Sequence, residues 1–382
     1  MERSMGRKKE RVMENKGCKE LVSEVFEKGL CTLCGACAGG CPYLVAYRGR
    51  ITVMDNCTLD DGQCYQYCPR TYTDMDAVSC NYFNAPYAGD AIGEVQEIFI
   101  ARSADLEIRG KAQYGGTVTT LLCLALEEGF IDAAVTVRNT GSWRPESYVA
   151  SSREEVLATA SSNYIACPVL ERLNRFPKES AMQLGIVVLP CQALALGAMK
   201  QNPPANRVDI CNVRLTLGLF CTWGLAQEPF HKFLSEKVDL LEVWKFDIPP
   251  PPAERMDIYQ GSDIISLPLD EVRQFRMITC AYCLDMTAEF ADISVGSAEG
   301  IEGWNTVIIR TDTGKALLEL ARSKNLLETV KIPEGNRLHL IEAAANKKRR
   351  ALHEIIKVTG NKGELMYLGL SPKAVEKMMD NR

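Results

Sequence analysis

Residues 31–42 read CTLCGACAGGCP, and this stretch determines the character of the N-terminal part of the chain. Its four cysteines follow the spacing C-x2-C-x2-C-x3-C-P, which is typical of iron-sulfur ligands in bacterial ferredoxins. A second set of cysteines, Cys57, Cys64 and Cys68, is followed by Pro69 in the same manner. The sequence therefore predicts an N-terminal two-cluster ferredoxin-like domain over residues 25–88.

The spacing also predicts which cysteines share a cluster. In two-cluster ferredoxins, the fourth cysteine of each run binds the cluster of the other run. The predicted ligands are Cys31, Cys34, Cys37 and Cys68 for the first 4Fe-4S cluster, and Cys41, Cys57 and Cys64 for the second.

The second cluster lacks one predicted ligand. A regular repeat would place a cysteine near position 60 or 61, where the sequence has Asp60 and Asp61. Three explanations remain open: an aspartate supplies an oxygen ligand, a remote cysteine (Cys80 or Cys18) completes the site, or the cluster holds three irons. We favour an ordinary cluster completed by a remote cysteine.

Two other uses of these cysteines are a zinc site and a disulfide framework. Zinc sites usually combine separate C-x2-C pairs, and disulfides need an oxidising compartment. The first residues, MERSMGRKKERVMENKG, lack the apolar segment of a secretory signal. We therefore predict a cytoplasmic protein with a flexible charged lead over residues 1–24.

Composition restricts the class of protein further. The chain has 382 residues with a net charge of -5, and hydrophobic residues make up 46%. No apolar run approaches the roughly 20 residues of a membrane-spanning helix, so we expect no membrane span. The acidic balance disfavours nucleic acid as a partner. The basic run Lys347–Arg350 predicts either the exposed face of a late helix, or a docking site or a grip on the anionic tail of a cofactor.

From about residue 94, apolar strand segments alternate with amphipathic helices, which is typical of an α/β domain. Residues 97–101, 133–137, 186–189, 213–220, 291–295 and 306–310 are predicted strands, and residues 118–127 a helix. Three helical segments follow toward the C-terminus. The predicted fold class is α+β multidomain, with residues 89–382 forming an α/β cofactor-binding domain with a helical C-terminus.

Two features of this second domain suggest binding sites. Cys280-x2-Cys283 is half of a metal site, and Cys191 and Cys221 follow predicted strands that could bring them nearby. Four such thiolates suit a 4Fe-4S cluster or zinc. Gly115 and Gly116 precede a helix, so its N-terminus could hold a phosphate, although a plain turn has the same pattern.

The order of several motifs resembles the family of beta subunits of coenzyme F420-reducing hydrogenases and dehydrogenases. The motifs are Tyr114-Gly-Gly-Thr-Val-Thr119, Ser162-Asn-Tyr164, Leu189-Pro-Cys-Gln192, Gly218-Leu-Phe-Cys221, Cys280-Ala-Tyr-Cys-Leu-Asp285, Ala291-Asp-Ile-Ser-Val-Gly296 and Gly303-Trp-Asn-Thr-Val-Ile-Ile-Arg310. The resemblance implies FAD in the α/β domain, with a 4Fe-4S cluster beside it held by Cys191, Cys221, Cys280 and Cys283.

The resemblance also implies the residues of the FAD pocket. They are Tyr114, Gly115, Gly116, Thr117, Thr119, Ser162, Asn163, Tyr164, Pro190, Gln192, Ala291, Asp292, Ser294 and Gly296. Asn163 departs from the family, which often has lysine there. No catalytic side chain is expected, because FAD would carry the chemistry.

The expected function is that of an electron-transfer oxidoreductase subunit with FAD and two or three 4Fe-4S clusters. It would connect coenzyme F420 or a similar carrier with the catalytic subunit of a hydrogenase, a formate dehydrogenase or a heterodisulfide-reductase-type complex. One alternative keeps the flavin but uses NAD(P)H or another acceptor. Another is a flavin-free adaptor that only connects clusters between subunits.

Overall fold

A computed structural model describes residues 16–204, 209–250, 252–361 and 365–380. The elements of the N-terminal region are α1 (Cys18–Leu21), a π-helical turn (Val22–Phe26), β1 (Leu44–Tyr47), β2 (Arg50–Val53), α2 (Gln63–Gln66), β3 (Thr73–Asp74) and α3 (Met75–Phe83). β1 and β2 form an antiparallel hairpin. Long irregular segments between these short elements carry most of the cysteines.

The predicted charged lead falls partly outside the described residues, which begin at residue 16. Its last part, residues 16–24, is helical from Cys18 onward. Cys18 and Leu21 are buried in the same apolar cluster as most cysteines of the ferredoxin-like region. This part of the predicted lead is therefore packed rather than flexible, because its apolar residues lie against that cluster.

The second region alternates strands and helices as predicted. Its strands are β4 (Glu97–Ser103), β5 (Ala133–Asn139), β6 (Pro145–Ala150), β7 (Leu184–Val188), β8 (Val213–Leu219), β9 (Val243–Asp247), β10 (Arg255–Gln260), β11 (Asp263–Pro268), β12 (Ile293–Ser297), β13 (Asn305–Ile309), β14 (Leu327–Lys331) and β15 (Leu368–Gly369). Its helices are α4 (Leu106–Lys111), α5 (Thr117–Glu127), α6 (Arg153–Leu157), α7 (Val169–Asn174), α8 (Pro190–Gln201), α9 (Gln227–Ser235), α10 (Leu269–Arg273), α11 (Asp312–Ser323), α12 (Glu334–Thr359) and α13 (Pro372–Asp380).

Eight strands form one mixed sheet in the order β14-β4-β13-β12-β8-β7-β5-β6. The neighbours β12, β8, β7 and β5 run parallel, and antiparallel strands extend the sheet on both sides. Helices cover both faces. Successive side chains of β5 point to opposite faces of the sheet, and both faces are apolar. Ala133 and Val135 pack in the core shared with α7 and α8, whereas Ala134 packs in the core shared with α5 and α11.

A smaller sheet, β11-β10-β9, packs with α9 and α10 around its own apolar cluster. It is inserted between β8 and β12, and the sequence patterns did not predict it. The short pair β15 and β3 connects the C-terminal part of the chain to the N-terminal region. The predicted α+β composition is confirmed, and the ferredoxin-like assignment of the N-terminal region stays a prediction.

Among the helices built from described residues, none is long and apolar enough to cross a membrane.

Candidate functional site

A cleft of about 1400 Å³ lies at the carboxyl ends of the parallel strands. The residues that follow these strands or end them, including Asn139, Leu189, Phe220 and Ser297, form part of its wall. Ligands commonly bind at this edge of α/β sheets, because loops from neighbouring strands converge there. The cleft is larger than the roughly 300–1,000 Å³ of typical small-molecule sites, so it has room for a dinucleotide cofactor.

The N-terminus of α5, which follows Gly115 and Gly116, forms one wall of this cleft. Gly116 has a φ of +74°, and a Cβ on Gly115 would lie 2.6 Å from Asn305 Oδ1. Thr117 is committed to Asn305, because its backbone N–H and its hydroxyl both donate to that same Oδ1. Val118 and Thr119 also line the cleft. Their first-turn N–H groups lack intrahelical acceptors and could bind a phosphate.

Nine predicted pocket residues line the cleft: Tyr114, Gly116, Thr117, Thr119, Ser162, Asn163, Tyr164, Gln192 and Gly296. Gln192 and Gly296 also have structural roles. Gln192 accepts a bond from Leu189 N and donates to Cys167 O, which fixes the start of α8. Gly296 lies beneath the Phe220 ring, where a Cβ would meet a ring carbon at 1.9 Å.

Five predicted pocket residues do not line the cleft: Gly115, Pro190, Ala291, Asp292 and Ser294. Ala291 and Asp292 precede β12, which places them at the opposite edge of the sheet from the cleft. The Asp292 carboxylate accepts bonds from Thr216 N and Thr311 Oγ1, and Ser294 is bound to Arg310. These residues therefore hold the sheet together. Gly115 and Pro190 are packed behind the wall, at the starts of α5 and α8.

The four cysteines predicted beside the flavin come together at one side of the cleft. Cys221, Cys280 and Cys283 line it, and Cys191 lies behind them at the start of α8. Burial raises the pKa of Cys221 to about 12, with Cys280 and Cys283 adding to the effect and Lys347 opposing it. Gly224 N–H donates to Cys280 Sγ at 3.4 Å. β7 and β8 are adjacent, so their ends deliver two of these thiols to one place.

The first ferredoxin-type set also comes together. Burial raises the pKa of the Cys68 thiol, and the neighbouring Cys34 and Cys31 thiols raise it further. The Cys37 thiol has the same surroundings, since burial and then Cys34, Cys31 and Cys68 raise its pKa. Leu33 N–H donates to Cys31 Sγ at 3.4 Å. Cys31, Cys34, Cys37 and Cys68 therefore lie close together.

The second set contains one cysteine beyond its three predicted members. Burial raises the pKa of Cys64 to about 12, and Cys18, Cys41 and Cys57 add to this effect. The Cys18 thiol is itself buried, and Cys57 and Cys41 add to the rise that burial causes in its pKa. Cys80, the other remote cysteine considered, is exposed on α3. Four thiols therefore gather here as well.

The three groups of thiols form a row that leads away from the cleft. Cys34 is close enough to Cys191 to raise the pKa of that thiol, after burial and Cys283. Cys64 likewise contributes to the raised pKa of Cys37. Arg70 lies buried between the group beside the cleft and the group that contains Cys34. Its Nε donates to Thr279 Oγ1 at 2.8 Å, and its Nη1 donates to Pro69 O at 3.0 Å. Its cation faces thiols of both groups.

Several basic side chains line the cleft. Lys347 and Arg350 belong to the basic run for which a grip on an anionic cofactor tail was one of the predictions, whereas Arg276 and His353 were not predicted to bind a cofactor. Lys347 is buried, and its ammonium donates to Cys221 O at 2.6 Å. Lys348, the next residue, is fully buried as well. The interpretation of Lys347–Arg350 as an exposed face is therefore wrong for its first two residues. Arg350, Arg276 and His353 complete a basic lining that suits an anionic cofactor.

A sequence signal for the buried lysines existed. Leu340, Ala344, Ala351 and Ile355 are spaced by four or seven residues and form the apolar face of α12. Lys347 and Lys348 fall on that same face, between Ala344 and Ala351. A charge on the apolar face of a helix indicates a buried partner.

The donor chemistry of the thiol groups fits iron-sulfur clusters. All sixteen cysteines are free, and twelve of them lie in the three groups of four. Within the described part of the chain, no three histidine, cysteine or acidic side chains converge as tightly as one metal ion requires. Burial and the repulsion between neighbouring negative charges keep these thiols protonated. Bound iron stabilises the thiolate form and so offsets both effects.

Comparison with known proteins identifies related sequences over most of the chain. Residues 98–174 match the family model for the N-terminal part of the coenzyme F420 hydrogenase/dehydrogenase beta subunit, and residues 181–335 match the model for its C-terminus. The coenzyme F420 hydrogenase subunit beta of Methanothermobacter thermautotrophicus is 36% identical over 273 residues, covering 68% of this chain and 94% of that protein.

Other relatives extend further along this chain. A subunit of the F(420)H(2) dehydrogenase of Methanosarcina mazei is 27% identical and covers 86% of this chain and 92% of that protein. The coenzyme F420-dependent sulfite reductase of Methanocaldococcus jannaschii is 28% identical over 86% of this chain, which spans only 51% of that protein. A chain of the F420-reducing NiFe hydrogenase complex of Methanosarcina barkeri has a similar structure. The TM-score is 0.64 at 28% identity, over 70% of this chain and 94% of that chain.

Proposed function

Because the chain belongs to the family of coenzyme F420 hydrogenase/dehydrogenase beta subunits, we propose that it is an FAD- and iron-sulfur-dependent oxidoreductase subunit. It would pass electrons between coenzyme F420, or a similar soluble carrier, and a partner protein. The observation that carries this proposal is the convergence of Cys191, Cys221, Cys280 and Cys283 at the side of the cleft. FAD exchanges electrons in pairs with organic carriers and singly with iron-sulfur centres, so a junction of these two sites suits such a function.

The side chains of the cleft would bind and orient the cofactor. The first-turn N–H groups of Val118 and Thr119 supply donors for a phosphate. Arg276, Arg350 and Lys347 add positive charge to the lining. Tyr164 shapes the wall beneath the small sheet, because its hydroxyl accepts a bond from Ile248 N at 3.1 Å. No side chain is needed as an acid or base.

The row of thiol groups gives the electron path. It begins at Cys221, Cys280 and Cys283 in the cleft and continues through the group that contains Cys34 toward the N-terminal region. Arg70 is buried and holds a positive charge between these two groups. Family membership suggests that the partner is the catalytic subunit of a hydrogenase, a formate dehydrogenase or a heterodisulfide-reductase-type complex.

Cofactor content tests this proposal. Protein purified without air should release about one flavin per chain on heating and contain roughly twelve irons, four for each of three clusters. Cys280→Ala should lower the iron content by about a third, because it removes one ligand of the cluster beside the cleft. Cys211→Ala, at an exposed thiol outside the three groups, should leave both contents unchanged. Iron without flavin in the wild-type protein would refute the flavin-dependent function and favour an adaptor.

A further inference from the structure

Cys18 lies at the start of α1, before the ferredoxin-type run in the chain, and it is 6% exposed. It packs in one apolar cluster with Cys31, Cys37, Cys41, Cys57, Cys64 and Cys68. Its thiol neighbours are Cys41, Cys57 and Cys64, the three cysteines that lack a fourth ligand. We propose that Cys18 is the fourth ligand of the second iron-sulfur cluster, which is then an ordinary four-cysteine site.

The segment that carries Cys18 is packed against the loop where the regular spacing would have placed a thiol. Gly62 N–H donates to Lys16 O at 3.0 Å. A Cβ on Gly17 would lie 2.2 Å from Leu59 O, so glycine is needed for this close approach. The residue before Cys18 thus touches the loop that contains Asp60 and Asp61. This contact holds Cys18 next to the position of the missing thiol.

Side-chain bonds hold this segment in place. Lys16 Nζ donates to Glu24 Oε1 at 2.6 Å, and Tyr65 Oη donates to Glu24 Oε2 at 2.5 Å. Tyr65 follows Cys64 in α2, so these contacts connect the Cys18 segment to a residue next to another ligand. Glu20 caps the segment, since its carboxylate accepts a bond from Gly17 N at 2.8 Å. The position of Cys18 is therefore fixed by the protein itself.

The aspartates are poorer candidates for the missing ligand. Asp60 and Asp61 are both exposed, whereas the thiols of the site are buried or half-buried. Asp61 Oδ1 already accepts a bond from Gln66 Nε2 at 2.6 Å. Cys80 is exposed and belongs to a helix that packs on α8. Of the three explanations open from the sequence, a remote cysteine has the support of packing, and that cysteine is Cys18.

This inference rests on the proposed function in assigning iron-sulfur clusters to the chain. Iron and acid-labile sulfide per chain, with low-temperature EPR, separate the two claims in protein purified without air. The wild type should hold roughly twelve irons. Cys18→Ala should lose between about one iron and about a third of the total, with an altered EPR signal for one cluster only. Cys80→Ala and Asp61→Asn should match the wild type in both measurements.

Unchanged iron and EPR in Cys18→Ala would overturn the inference, as would equal losses in Asp61→Asn. About eight irons in the wild type would also overturn the inference, although the two clusters nearer the cleft would still be accounted for. A wild type without iron would overturn the proposed function itself. Should Cys18→Ala fail to fold, Cys18→Ala combined with Asp61→Cys restores a thiol near the regular position before Cys64. Recovery of folded protein with full iron in that variant supports the inference, and failure to recover contradicts it.

Discussion

Lys348→Met should destabilise the protein because it removes the cation from a buried carboxylate. The Lys348 and Glu289 side chains are 1% and 2% exposed, and the ammonium of Lys348 donates to Glu289 Oε1. Tyr87 completes the arrangement, since it accepts a bond from Lys348 Nζ at 2.7 Å and donates to Glu289 Oε2 at 2.9 Å. Methionine keeps an unbranched stem of similar volume, so charge and hydrogen bonding are what change.

The expected loss of stability follows from the unpaired carboxylate that remains buried after the substitution. Removing one partner of a buried ion pair typically costs about 3–5 kcal/mol, because an uncompensated charge stays behind. A chain of 382 residues has an unfolding entropy of about 0.8 kcal/mol/K, at about 2.1 cal/mol/K per residue. The loss therefore corresponds to a fall of roughly 4–6 °C in Tm. Lys348→Met combined with Glu289→Gln should recover most of it, since both members of the buried pair are then neutral and Arg310 keeps its hydrogen bonds to Ser294 and to backbone carbonyls.

The loss should also depend on pH. Burial raises the pKa of Glu289, and Lys348 opposes that rise, as does Arg310. Without Lys348 the pKa rises further, so folded Glu289 binds a proton at a pH where the unfolded chain does not. Folding then gains stability as pH falls, and the deficit of Lys348→Met should be smaller at about pH 6 than at about pH 8.

Thermal unfolding followed by circular dichroism, on cofactor-loaded protein, measures these effects. Lys324→Met is the matched control, because Lys324 pairs with Glu128 at 3.0 Å on the surface, where such a pair contributes about 0–1 kcal/mol. Equal Tm values for Lys348→Met and Lys324→Met, at both pH values, would refute the reasoning.

Three further substitutions test the cleft and the thiol groups. Gly116→Ala places a Cβ on a residue with positive φ, 2.7 Å from a neighbouring side chain, so FAD content should fall several-fold. Gly110→Ala is the control and should retain flavin, because the space around Gly110 is open. Arg70→Met should lower the reduction potentials of the two clusters nearest to Arg70 in an EPR-monitored titration, with Arg349→Met as the control. Equal potentials in the two variants would count against a position of Arg70 between those clusters. Gly17→Ala would bring a Cβ to 2.2 Å from a backbone oxygen, so it should reduce iron by up to about a third. Full iron content there would show that this contact is dispensable.

Much of the second domain could be predicted from the sequence because its buried strands are short apolar runs. β7 and β8 both end shortly before cysteines, so adjacency of the strands was enough to bring Cys191 and Cys221 together. The small sheet was missed because its strands carry charges, and because a proline-rich stretch, part of which lies outside the described residues, separates β9 from β10 and β11. Ala291 and Asp292 were assigned to the pocket by motif alone, and strand direction places them at the other edge.

The remaining differences come from contacts between residues far apart in the chain. Cys18 joins the second group through packing of residues 16–18 on residues 59–62, which no local spacing displays. Lys347 and Lys348 belong to a basic run that resembles an exposed surface, yet Cys221 O and Glu289 provide their partners. Buried charge is accepted in a fold only where such partners exist, and they become visible only in three dimensions.

Rapid mixing of the flavin-loaded protein with reduced coenzyme F420, under exclusion of air, tests the central claim most directly. The flavin absorbance should bleach, and the iron-sulfur absorbance should then fall as electrons reach the clusters. Cys280→Ala should keep the first change but slow the second, because the cluster beside the cleft has lost a ligand. The account would be contradicted if reduced F420 left the flavin oxidised and only NADH bleached its absorbance.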